Sequence, residues 1–340
     1  MENLKLVNST NFASESNIVY SEVISLEDFE KLELKDYSII DNNDRFIFYK
    51  KNRITFYQNS VIFCNANMLE CLFQDIKNLN QEFNFTLISS QSDRIIDRKI
   101  AKKKPPIISS WYATNLMSNY KNIYPLPLGI ANDYSPKNLI QEDFINLSDF
   151  KQNKELKLYV NFNEQTNLKH RGNLKNSLRP YEWTKIQDHE ISLQEYKKNL
   201  VQYQFILCPW GNGIDTHRIW EALYSGSTPV VKYHHTYKPL KELPVIFVDE
   251  YDQITEEFLN EEYKKIISKQ TTLDFLNIDY WLKKMKNKQI DSEISIEVCG
   301  NNSYYSYFLN KRTFKNKLKT KYKVVKFRLY QLKKLILKNY

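Results

Sequence analysis

The stretch from Phe205 to Lys232, FILCPWGNGIDTHRIWEALYSGSTPVVK, constrains the fold more than any other part of this chain. An apolar run, Phe205-Ile206-Leu207-Cys208, stops at Pro209-Trp210-Gly211-Asn212-Gly213. A helical segment is predicted over 215–225, Gly226 ends it in the usual position after a helix, and Thr228-Pro229-Val230-Val231 begins another strand. Strands joined through a helix run parallel in one sheet, with a right-handed crossover. The chain therefore reads as α/β.

Glycine sharpens this reading. Only six occur in 340 residues: Gly129, Gly172, Gly211, Gly213, Gly226 and Gly300. A chain this sparing of glycine keeps it where the backbone needs positive φ or close approach. Two of the six lie in the turn before the helix, where free N–H groups and the positive helix end face the crevice of an open sheet. Gly211 and Gly213, flanking Asn212, are expected to let a phosphate approach the backbone, and Asp215 or Thr216 to cap the helix. His217 and Arg218 fall in its first turn, suited to a diphosphate. Glu221 lies three residues beyond Arg218 on the same face, where a carboxylate can accept both hydroxyls of a ribose.

Elsewhere the pattern repeats the alternation of strand and helix. Strands are predicted at 18–24, 37–40, 45–49, 54–57, 61–64, 83–90 and 105–110, with helices at 67–79 and 111–119 and an extended Pro-punctuated segment at 124–130. A polar stretch, 133–154, reads as a connection. Beyond it come strands at 156–162, 205–208, 228–232 and 245–248, and helices at 193–201, 215–225 and 255–268. Two Rossmann-like domains with a cleft between them are expected, at 1–150 and 151–310.

Residues 311–340, from Lys311 to Tyr340, form a third unit. They hold twelve Lys and Arg and no acid; without those twelve, 37 basic residues face 40 acidic ones in residues 1–310, a net of −3. Leu318, Tyr322, Val325, Leu329, Leu332 and Ile336 recur at helical spacing among lysines. Such a helix suits an anionic membrane surface, or packing on the protein's own acidic body, while the low Arg content and the lack of paired aromatics argue against nucleic acid. No run of about 18 apolar residues suggests a membrane span, and the start of the chain lacks the pattern of a signal peptide. Cys64, Cys71, Cys208 and Cys299 show no zinc-ligand spacing. These features lead us to expect a cytoplasmic protein held peripherally on the inner face of the membrane. Richness in Lys, Ile and Tyr, with 35 Asn, fits AT-rich coding and a bacterial source.

The segment GNGIDTHRIWEALYSGSTPVV resembles the nucleotide-sugar-binding signature of exostosin-like glycosyltransferases, including the ribitol xylosyltransferase type. SQSD at 90–93, WYATN and PLPLGIAN within 111–132, and LYVNFNEQTNLKHRGNL at 158–174 fit the same pattern. The resemblance covers roughly residues 60 to 260. It implies a GT-B fold, with the donor bound mainly by the second domain and the acceptor by the first. It also implies inverting sugar transfer from a nucleoside diphosphate donor to a glycan hydroxyl, with no metal or other cofactor. Consistent with that, the sequence has no Asp-x-Asp triplet.

Without a metal, the leaving diphosphate needs cations and helix ends. Arg171, on the loop that begins at Thr166, is the expected second cation, with Thr166 beside it. The general base belongs on the acceptor side. Asp93, directly after the 83–90 strand, is the first candidate and Asp133 the reserve. The setting expected is synthesis of a bacterial surface polysaccharide, lipopolysaccharide or capsule, on a glycan or lipid-linked glycan acceptor. Two rival readings stand beside this one: an α1,3-fucosyltransferase-type enzyme using a GDP-sugar, and a non-catalytic glycan- or lipid-binding protein on a GT-B frame.

Overall fold

The computed structural model describes residues 5–80, 82–144, 154–188, 190–269, 272–286, 290–300 and 305–306. The predicted basic tail, 311–340, lies outside the described residues. The strands are β1 (Ile18–Ser25), β2 (Tyr37–Asn42), β3 (Phe46–Lys51), β4 (Arg53–Gln58), β5 (Val61–Asn65), β6 (Phe85–Ser90), β7 (Ile108–Ala113), β8 (Ile123–Pro125), β9 (Glu155–Val160), β10 (Thr184–Ile186), β11 (Tyr203–Leu207), β12 (Thr228–Lys232), β13 (Ile246–Val248) and β14 (Asp291–Cys299). Seven form one sheet in the order β2-β3-β1-β5-β6-β7-β8, and five form another in the order β10-β9-β11-β12-β13. The second sheet is parallel throughout. The first is parallel from β1 to β8, with β2 and β3 antiparallel at its edge.

Both sheets are covered on both faces, which is why their central strands are almost continuously apolar. In β5, Ile62 and Cys64 enter one core with the helix Leu69–Ile76, whereas Val61 and Phe63 enter another with the helices Ser9–Ser14 and Ile278–Met285. In β9, Tyr159 faces the core shared with the helix His217–Tyr224, and Leu158 and Val160 face the one shared with the helix Glu256–Ser268. These are two α/β domains, each built on a largely parallel sheet between helices, as the sequence predicts. The C-terminal ends of the parallel strands in the two sheets carry loops that meet each other, and the candidate site lies there.

Three expectations need correction. Residues 111–119 are not a helix: Ile108–Ala113 is β7, between β6 and β8. Trp111 is buried there, with its Nε1 donating to Ser89 Oγ at 2.8 Å, and Asn115 takes φ +54°, a left-handed conformation no helix contains. The connection predicted at 133–154 is in part a strap, since Leu139 and Phe144 are buried in the core of the second domain. The boundary at 310 also moves. The helix Ile278–Met285 packs on Val7 and Phe12, and β14 pairs antiparallel with β4, so the chain returns to the first domain. Among the described residues no helix is long and apolar enough to cross a membrane.

Candidate functional site

The turn 209–213, after β11, is held from beneath by Arg171. This guanidinium is 5% exposed and donates to the carbonyls of Pro209 at 2.9 Å, Trp210 at 2.8 Å and Asn163 at 3.2 Å. Burial pushes its pKa down to about 10. Asn167 Nδ2 adds a bond to the Gly211 carbonyl at 2.8 Å. The loop of Thr166, Asn167 and Arg171 is thus folded onto the turn, and in this conformation the Arg171 guanidinium is spent on backbone oxygens. A Cβ on Gly211 would stand 3.0 Å from Arg171 Nη2, so the clamp accounts for that glycine.

The second glycine has a different neighbour. A Cβ on Gly213 would lie 2.9 Å from the Asn115 side chain, which reaches across from the loop after β7. Asn115 Oδ1 accepts from Ile214 N at 2.8 Å and Asp215 N at 2.9 Å. Two of the N–H groups just before the helix are therefore already engaged by an amide oxygen of the other domain. Asn212, between the glycines, stays exposed.

Asp215 and His217 complete this joint. Asp215 is 3% exposed, and its carboxylate accepts from Leu128 N at 2.8 Å and Trp220 Nε1 at 3.1 Å. Burial, opposed by those bonds, pushes its pKa up to about 7. His217 Nδ1 lies 2.8 Å from the Gly129 carbonyl. The helix starts with Thr216 as its N-cap residue, and no side chain caps it. Asp215, Gly213 and His217, expected on the donor, thus hold the two domains together in this conformation.

Glu221 is likewise inside, at 2% exposure, with Oε2 accepting from Tyr196 OH at 2.7 Å. Arg218 is partly buried beside it. Burial opposes the Arg218 charge, but Tyr196 and Glu221 more than offset it and raise the pKa. The pair stays on one helix face, as predicted. Glu221 nonetheless sits too deep to take two ribose hydroxyls in this conformation.

An open pocket of about 500 Å³ lies beside this joint, beyond the C-terminal ends of β12 and β13. Its lining includes Lys169, His170, Asn173, Ser177, Lys232 and Glu250. His170 packs on Trp210 with ring centroids 4.6 Å apart, which ties the pocket wall to the clamped turn. Lys232 pairs with Glu250. The size lies within the range of small-molecule sites. Sequence reasoning missed Lys169 and Lys232 because nothing marks a lysine as special in a chain so rich in them.

On the first domain, Asp93 is exposed on the loop after β6. The loop around it is fixed at almost every residue. Gln91, at φ +56°, caps Val23 on both its N–H and its carbonyl. Asn65 Nδ2 donates to Gln91 O, and Arg94 donates to Ala66 O and to Glu70. Asp133 is exposed on the loop after Gly129-Ile130. Desolvation, with Glu142 and Asp28 nearby, raises its pKa.

The second half of the chain has a known likeness. Residues 150–296 match the RXYLT1 C-terminal domain. The glycosyltransferase resemblance read from the sequence is borne out over that segment, which includes the clamped turn and the pocket. Among solved structures, the crystal structure of an α1,3-fucosyltransferase is similar at 12% identity, over 67% of this chain and 78% of that one, with a TM-score of 0.34. The ADP-heptose lps heptosyltransferase II of E. coli is similar at 11% identity, over 61% of this chain and 89% of that one, with a TM-score of 0.23. No curated protein matches the chain.

Proposed function

We propose that the protein transfers a sugar from a nucleoside diphosphate donor to a glycan hydroxyl, with inversion and without a metal. The observation that supports this reading is a pocket with lysines in its wall on the second domain, joined through the Asn115 contacts to the fixed loop of the first domain that carries an exposed carboxylate. The donor occupies the pocket beyond β12 and β13, its phosphates near Lys169 and Lys232. The acceptor approaches the loop of Asp93.

Asp93 takes the proton of the acceptor hydroxyl as that oxygen attacks the anomeric carbon. The bond from this carbon to the diphosphate oxygen breaks, and the diphosphate leaves with the electron pair, its charge held by the lysines. Asp133, with its raised pKa, is the alternative base. The setting proposed is a bacterial surface polysaccharide built on a lipid-linked acceptor, on the cytoplasmic side of the membrane. There the basic segment 311–340 would rest on anionic lipid, with no part played by nucleic acid.

A thermal-shift series with UDP, GDP and CMP, followed by donor turnover, tests the activity. A ligand present at about 100 times its Kd adds about 2.7 kcal/mol to the stability of the native state. Absence of any shift and any turnover would refute the reading. For the tail, removal of 311–340 should abolish binding to anionic liposomes while sparing transfer to a short soluble acceptor.

A further inference from the structure

We propose that Asn115 is a positioning residue that sets the distance between the carboxylate loop of the first domain and the donor-side turn of the second. The inference rests on the transferase reading for its chemistry, though the bridge itself is a matter of geometry. One side chain serves both halves. Its Oδ1 receives the N–H groups of Ile214 and Asp215, and its Nδ2 donates to the carbonyl of Ser92 at 3.4 Å. That carbonyl belongs to the peptide bond leading into Asp93. The amide therefore spans from the residue before the proposed base to the residues that follow the turn clamped by Arg171.

Every neighbour of this amide is adapted to it. Asn115 is 1% exposed, so water does not compete for its bonds. Its φ of +54° is one that Asn and Gly tolerate and that most residues avoid. Gly213 leaves the space that the amide fills. The next residue, Leu116, extends the contact, its carbonyl accepting from Thr236 Oγ1 at 2.9 Å. The motifs around Ser92, Asn115 and Gly213 are far apart in sequence, and in the fold they are parts of one bridge.

Inverting transfer needs the acceptor oxygen and the anomeric carbon in near contact, and a misplacement of about 1 Å costs on the order of 10²-fold in rate. Asn115→Asp keeps the acceptor oxygen for Ile214 and Asp215 but sets a second oxygen against the Ser92 carbonyl. Asn115→Gly accepts the same φ and removes the amide altogether. Both variants should lose on the order of 10²-fold in kcat while affinity for a nucleoside diphosphate stays within about twofold. Gly213→Ala, which pushes on the amide from the other side, should show the same split.

Hydrogen exchange reads the bridge independently of turnover. In Asn115→Gly the amides of Ile214 and Asp215 should lose protection. Retained kcat in both Asn115 variants would overturn the proposal, as would nucleotide affinity falling in step with kcat, or unchanged protection at those amides. An inactive wild-type protein that binds no nucleotide would instead refute the transferase reading, and the exchange result would still decide the bridge.

Discussion

Replacing Asp215 by asparagine should make the protein less sensitive to pH, in a manner that follows from burial. The fold holds the Asp215 carboxyl at a pKa of about 7, against an ordinary value of 3.8. Moving that carboxyl from 3.8 to about 7 is worth about 4 kcal/mol in favour of the protonated form. The folded state favours the protonated form. Its contribution is therefore complete below about pH 4, where the unfolded chain is also protonated, and is lost as the pH rises through about 7. Between about pH 4.5 and pH 8 the wild-type protein should lose about 3 kcal/mol from this group alone. A carboxamide at this position cannot ionise, so Asp215→Asn lacks that decline. Denaturant unfolding of both proteins across this range measures the effect, and their difference cancels every other titrating group. The replaced hydrogen bonds shift the variant by a constant amount and leave the slope difference intact. Two parallel stability curves would refute the claim that burial dominates at Asp215.

Other expectations are simpler to state. Glu221→Ala should destabilise the protein by about 1–3 kcal/mol, because it leaves the buried Tyr196 hydroxyl without its acceptor; unfolding curves check this. Lys50, buried 3.7 Å from Asp75, should be less tolerant still: Lys50→Met should cost about 3–5 kcal/mol by the same measurement. Gly129→Ala should prevent folding, since φ is +76° and the new Cβ would lie 1.9 Å from the Val7 carbonyl; soluble yield and circular dichroism report it. Asp93→Asn should reduce kcat by about 10²-fold or more with nucleotide affinity unchanged, and a kcat near wild type would move the base to Asp133.

The central strands and the helix after β11 were legible because their burial leaves a regular apolar period. Thr228–Lys232 was predicted to the residue, and the helix at 193–201 to within one. The Gly-Asn-Gly turn was legible as special but not in its purpose. Glycine reports that something approaches the backbone, and only the fold says whether that is a phosphate, an Arg171 guanidinium or an Asn115 amide. Trp111 misled because an apolar, aromatic run can lie on either element, and the positive φ of Asn115 that ends it leaves no periodic trace. Long-range returns were invisible for another reason. Nothing local in 291–299 names β4 as its partner.

That return has a bearing on synthesis. The register joins Arg53 to Cys299, so about 240 residues separate the partners. A ribosome releases β4 early, with Ile54 and Phe56 already committed to the first core, yet its partner strand emerges only after the second domain has been made. Domains generally fold in the order they appear, at about 5–20 residues per second. For roughly 12–50 seconds the nascent chain thus presents an unpaired strand edge, the kind of surface that invites pairing with a neighbouring chain. The second domain would be finished before the first, and translation speed across 150–290 would govern how long that edge waits.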